Sequence, residues 1–183
     1  MNFNKKNIDY DKIQRMKALK YLEHYPQNIK TQIHQLIASE KLDKYLLKNY
    51  PKAHDIKSDK ALYSYTMDFK NSYLKKSLPL SKVLYDGKIN VINDALGLHT
   101  IISRVQGGKL KSKNEIRVAT VFKNCPEEFL RMIVVHELSH IKEKNHDKAF
   151  YKLCTYIEPK YHQYELDLRI YLTYLDKYGK LYF

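Results

Sequence analysis

Apolar residues recur every three or four positions through the first third of the chain, and prolines divide the pattern. Ile13, Met16, Leu19 and Leu22 share one face that ends before Pro26. Ile29, Ile33, Leu36 and Ile37 form a second face, and Leu42, Tyr45 and Leu46 a third, closed by Tyr50-Pro51. Ser58-Asp59 reads as a helix start, followed by Leu62, Tyr65, Phe69, Tyr73 and Leu74 up to Pro79. Such spacing lines apolar side chains along one side of a helix. Four short helices are expected, forming a helical N-terminal lobe over residues 1–78.

From Lys82 the period changes. Val83, Leu84 and Tyr85 run into Asp86-Gly87, and Ile89, Val91 and Ile92 follow. Asp-Gly between two such runs is a hairpin signal, because both turn positions need a positive φ. Leu98 to Gln106 carries Ile101, Ile102 and Val105, Gly107-Gly108 turns the chain, and Glu115 to Val121 alternates again. A small, mostly antiparallel sheet of three or four strands is expected here.

Helix returns at Pro126, with Asn124 or Cys125 as cap and Glu127 and Glu128 complementing the positive end of the dipole. Phe129 to Ile141 is apolar nearly all round, the mark of a buried central helix. Asn145 breaks it. A further helix carries Phe150, Leu153, Cys154 and Ile157 to Pro159, and a last one runs from about Tyr161 to Tyr178. The whole reads as an α+β chain with a lobe at 1–78 and a second domain at 79–183, the two packed as one unit.

Composition narrows the class. The 183 residues are 44% hydrophobic and 29% charged, with five Gly and five Pro, which excludes disordered, collagen-like and disulfide-stapled classes. No run approaches the length of a membrane helix, the Met1–Asn7 stretch lacks the apolar core of a secretory signal, and Cys125 and Cys154 are too few for a disulfide framework. A cytoplasmic protein without membrane contact is expected. Residues 1–125 hold 24 Lys and Arg against 11 Asp and Glu, so the net +13 belongs to the first two thirds of the chain. That asymmetry suits a nucleic acid or an anionic substrate, and equally a solvated surface.

The chemistry concentrates in His136-Glu137-Leu138-Ser139-His140. Residues four apart are neighbours on a helix face, so His136 and His140 present two imidazoles to one Zn²⁺. Glu137, roughly 100° round the helix, can take a proton from a water activated by the metal and pass it to a leaving group. A buried helix has no other good reason to carry two His and a Glu together. A catalytic zinc needs a third protein ligand, for which His146, Glu158 and Glu165 are candidates. His146 is favoured, since Lys142-Glu143-Lys144-Asn145 is polar enough to turn the chain back towards the ion.

Val135-His136-Glu137-Leu138-Ser139-His140-Ile141 followed by Asn145-His146-Asp147-Lys148-Ala149-Phe150-Tyr151 resembles the YgjP-like metal-dependent hydrolases, zincin-fold proteins related to the WLM and SprT-like metallopeptidases. Their pattern is HELxH, five residues, a third His, then a Phe about four residues on. It matches at His136, Glu137, His140, His146 and Phe150, and the likeness covers roughly residues 80–175. It implies His136, His140 and His146 as zinc ligands and Glu137 as general base. Metzincins share the ten-residue spacing but have Gly where this chain has Glu143. Relatives include peptidases that act on DNA-bound proteins, and the YgjP-like group is also linked to nucleotide pyrophosphate hydrolysis.

Other residues carry weaker signals. Glu165, Asp167 and Arg169 are candidates to orient the ligand histidines, and Tyr161, His162 or Tyr164 to hydrogen-bond an oxyanion. Lys109, Lys111 and Lys113 suggest a basic loop beside the sheet. The leading expectation is a zinc metallopeptidase that aligns an extended peptide on an edge strand, Leu98–Gln106. The alternatives are a nucleotide pyrophosphatase using the same site, and a nucleic-acid-associated protein with a structural metal.

Overall fold

The computed structural model describes residues 19–89, 97–106 and 109–183, with the backbone alone for 97–106 and 109–113. The expectations for Ile13 and Met16, for Val91 and Ile92 and for the Gly107-Gly108 turn lie outside the described residues.

The described helices are α1 (Gln27–Ala38), α2 (Leu42–Asn49), α3 (Asp59–Tyr73), α4 (Glu127–Ser139), α5 (Lys148–Ile157) and α6 (Tyr161–Tyr178). Three strands, β1 (Leu80–Asp86), β2 (Gly97–Gln106) and β3 (Lys109–Ala119), separate α3 from α4. Short 3-10 turns occupy Lys20–Leu22 and Thr120–Asn124. The elements form an α+β arrangement, and among the described residues no helix is long and apolar enough to cross a membrane.

Two compact units make up the chain. One comprises residues 1–51 and 166–183, the other residues 52–165, so α3 clusters with the sheet and the division falls inside α6. In the first unit Leu22, Ile33, Ile37, Leu42, Leu46 and Leu168 are buried. Its polar centre is Asp167, whose carboxylate accepts from the Tyr45 hydroxyl at 2.7 Å and the Tyr50 hydroxyl at 2.5 Å. The Tyr182 hydroxyl donates to the Tyr50 carbonyl at 2.7 Å.

The second unit is built on the sheet, ordered β1-β3-β2. The sheet is mixed, which corrects the antiparallel expectation: β2 and β3 pair antiparallel, but β1 runs parallel to β3. Among the described residues, β1 pairs with β3 and not with a strand directly after Asp86-Gly87. Asp86 Oδ1 accepts from the Lys88 N–H at 2.8 Å and Oδ2 meets Arg117 at 2.9 Å, so its side chain directs the turn and is anchored to β3. The parallel register sets Val83 opposite Ile116 and Tyr85 opposite Val118. All four are buried, giving the sheet one apolar face. Lys109, Lys111 and Lys113 belong to β3 rather than to a loop.

The Ser58 side chain caps α3 by accepting from Ala61 N–H at 3.1 Å. No side chain caps α4: the Cys125 thiol turns to the Phe122 and Pro126 carbonyls, and the Pro126 carbonyl accepts from Phe129 and Leu130. Phe129, Leu130, Met132, Ile133, Val134, Val135 and Leu138 are all buried, so α4 is the central helix of this unit, packed against α3, α5, β2 and β3. Both cysteines are buried and free.

Candidate metal centre

The last turn of α4 carries His136, and His140 follows as its C-cap residue. The chain then turns tightly, with Lys142 and Glu143 N–H groups donating to the Ser139 carbonyl at 3.0 and 2.9 Å. Asp147 restarts the helix: its Oδ1 accepts from Ala149 and Phe150 N–H groups at 2.9 and 3.1 Å and fixes the first turn of α5. His146 sits just ahead of that cap, which leaves its imidazole to face the end of α4.

Three nitrogens converge there. Nε2 of His146 lies 3.0 Å from Nε2 of His136 and 3.1 Å from Nε2 of His140. Tetrahedral zinc with bonds of about 2.0–2.1 Å would hold its nitrogens roughly 3.3 Å apart. Three imidazole nitrogens at such distances cannot all be satisfied by one another, since one N–H serves one acceptor. The donor set fits a cation.

The other ring nitrogen fixes the tautomer of His140. His140 Nδ1 lies 3.0 Å from the Glu143 carbonyl, an acceptor only, so Nδ1 carries the hydrogen and Nε2 the lone pair. Burial lowers the His140 pKa, which keeps the ring neutral. His136 Nδ1 lies 2.6 Å from the Tyr161 hydroxyl. Beneath the cluster is Phe150, wholly buried, its ring centroid 4.9, 4.6 and 4.8 Å from those of His136, His140 and His146.

Glu137 follows His136 on α4 and is only 2% exposed. Among the described residues His136, His140 and His146 form a group able to hold a metal ion. Neither Glu158 nor Glu165 joins it. Glu158 Oε1 accepts from the Lys160 N–H at 3.0 Å and Oε2 faces Arg131 at 3.4 Å, while Glu165 pairs with His162 at 4.0 Å.

Several other sequence candidates fall in different places. Asp167 lies in the other unit, where it accepts from Tyr45 and Tyr50. Tyr161 is 1% exposed, and its hydroxyl lies on His136 Nδ1. Burial pushes its phenol far above the usual range. The contact between Cys154 and Ser139, at 3.3 Å, was not legible in the sequence. No spacing links them; only the packing of α5 on α4 does.

Residues 30–171 match the YgjP-like family, described as a metallopeptidase domain. A "UTP pyrophosphatase" of Escherichia coli (strain K12) is 58% identical over 161 residues, covering 88% of this chain and 96% of that protein. No solved structure is significantly similar to the chain. The match spans most of the sequence and contains the histidine cluster and the buried Glu137. The chain belongs to the YgjP-like family of metal-dependent hydrolases and has its zincin-like α+β fold.

Proposed function

We propose that the chain is a zinc-dependent hydrolase that cleaves the phosphoanhydride of nucleoside triphosphates and releases pyrophosphate. The observation that carries the chemistry is the convergence of three Nε2 atoms beside the buried Glu137. Among the described residues the cluster offers three donors, where a closed structural zinc takes four. The substrate class rests on the 58% identical relative, which moves the reading from the peptide favoured by sequence motifs to a nucleotide. Lys142, Lys144 and Lys148 are exposed on either side of His146 and suit a polyanionic substrate.

His136, His140 and His146 would hold the ion, which when bound supplies Lewis acidity towards a phosphoryl oxygen and lowers the pKa of water. Glu137 then acts as general base. It takes one proton from the attacking water as the oxygen bonds to phosphorus, and the bond to the bridging oxygen of pyrophosphate breaks. Tyr161 and the Glu143 carbonyl keep the two α4 imidazoles oriented, and Phe150 excludes water from below. A nucleotide monophosphate and pyrophosphate leave.

A second reading keeps the site and takes a peptide. It is favoured by β2, which among the described residues is an edge strand, antiparallel to its neighbour and packed near α4. Such an edge can align an extended chain by main-chain hydrogen bonds. Phosphorus NMR of UTP incubated with the zinc-loaded protein separates the two. Appearance of UMP and pyrophosphate supports the nucleotide reading; unchanged UTP together with cleavage of an unfolded protein returns it to a peptidase.

A further inference from the structure

Two layers of aromatic rings adjoin the histidine cluster. The lower layer is Phe150 and Tyr161, at 0% and 1% exposed, which pack the site from within. The upper layer is a row of three rings that reach solvent: His146 and His162 are exposed and Tyr151 is half-buried. The Tyr151 ring centroid is 6.5 Å from that of His146 and 5.5 Å from that of His162. Along the row the interplanar angles are only 32° and 39°, so the three faces are roughly co-oriented. Towards the lower layer the rings are edge-to-face, His146 and Tyr151 at 86° to Phe150 and His162 at 81° to Tyr161.

Local chemistry sets the row. The Asp147 carbonyl accepts from the Tyr151 N–H at 3.1 Å, so Tyr151 falls one turn after the cap of α5. Pro159-Lys160 then interrupts the helices. The Glu158 carbonyl accepts from the Tyr161 N–H at 2.9 Å, and the first turn of α6 brings His162 against Tyr151. The Glu165 carboxylate lies 4.0 Å from His162 Nδ1. Burial and packing belong to Phe150 and Tyr161. The upper row instead offers ring faces to a flat aromatic group, next to a metal centre suited to phosphate.

We propose that Tyr151 and His162 form a nucleobase subsite, stacking the pyrimidine ring of UTP while its phosphates lie at the histidine cluster. The inference deepens the nucleotide reading above and rests on it. A nucleoside triphosphate carries its base one ribose away from its first phosphate. The rings follow the same order: His146 at the cluster, then Tyr151 against it, then His162 against Tyr151. Stacking needs an accessible ring face and no opposite charge. The subsite therefore favours a nucleotide over a bare polyphosphate, which the exposed lysines and the metal alone would not separate.

The test uses the zinc-loaded full chain, with zinc content and unfolding curves measured for every variant. Calorimetry gives dissociation constants for UMP, which carries the base, and for pyrophosphate, which does not. Tyr151→Leu should weaken UMP about 5–150-fold, the worth of one stacked base, and shift pyrophosphate less than about threefold. His162→Ala should also weaken UMP, and Tyr151→Phe, which keeps the ring face, should stay close to the parent. In UTP hydrolysis the loss in Tyr151→Leu should fall on KM, with kcat within about threefold of the parent. A parent that binds UMP no more tightly than inorganic phosphate overturns the proposal. So does a folded, zinc-loaded Tyr151→Leu with parental UMP affinity, or one that loses UMP and pyrophosphate equally. The two levels separate cleanly. If the parent binds UMP through Tyr151 but leaves UTP intact, the hydrolase reading fails and the subsite stands. If Tyr151→Leu cleaves UTP with the parental KM, only the subsite fails.

Discussion

Nε2 of His146 lies 3.0 Å from Nε2 of His136, although the two are ten residues apart and belong to different helical segments. The approach is built from local chemistry. His140 ends α4, Asp147 caps α5, and the short polar turn between them delivers one imidazole to two others. His146→Ala should therefore remove a donor from a preformed site and lower zinc affinity by more than about 100-fold. Glu165→Ala, at a residue outside the histidine cluster, should shift affinity less than tenfold. Zinc titration of the two variants side by side checks this. Loss in the Glu165 variant with retention in the other would make the site a two-His-one-carboxylate centre.

Glu137→Gln should keep zinc and lose turnover. The amide preserves shape in its buried position but cannot accept a proton from water. A reduction of about 10²–10⁴-fold in kcat with unchanged zinc content is the expected outcome. Steady-state kinetics on protein of measured metal content decide it, and parental kcat in the variant removes Glu137 from the reaction.

Phe150 supports both the fold and the cluster. Its ring lies under all three imidazoles and is fully buried. Phe150→Ala should cost about 3–5 kcal/mol in metal-free stability, from lost burial and the cavity left behind. Urea unfolding of the chelated protein measures this. A change below 1 kcal/mol would mean that the site collapses around the smaller side chain.

His54 gives the metal-free protein a pH dependence. Its Nε2 donates to the Phe122 carbonyl at 2.7 Å, and Nδ1 accepts from the Ile56 N–H. Burial, with Lys57 opposing the added charge, holds its pKa below the ordinary 6.5. The unfolded chain then takes up a proton that the native ring refuses, so this contribution is intact above pH 6.5 and is lost as pH falls below it. Chelated parent should lose stability between pH 7.5 and 5.5 more steeply than His54→Gln. Equal slopes in urea midpoints would contradict it.

The helices were legible because their signals are local. Ser58 caps α3 as its position suggests, and the α6 bounds follow from Pro159 and the apolar spacing of Leu168, Tyr171 and Leu172. The motif on α4 names two imidazoles and a carboxylate from spacing alone, and polar residues 142–145 foretell the turn that brings His146 back. The sheet was harder. Asp86-Gly87 has the composition of a hairpin turn, but Asp86 spends its carboxylate on Lys88 and Arg117, and the partner of β1 is a strand beginning 23 residues later. Pairing across that distance leaves no period in the sequence. Tyr161 carried a polar tip with no stated direction. Its burial against His136 comes from packing between residues 25 apart in sequence, which leaves no spacing signal.

The most direct measurement is stoichiometric reactivation. Protein stripped with a chelator and freed of it should release no pyrophosphate from UTP. Added zinc should restore the rate in proportion until about one ion per chain is bound, the number one three-histidine cluster holds. His146→Ala carried through the same titration should stay near the stripped baseline. Full pyrophosphate release by the stripped parent, or restored release in His146→Ala at one ion per chain, would contradict the account.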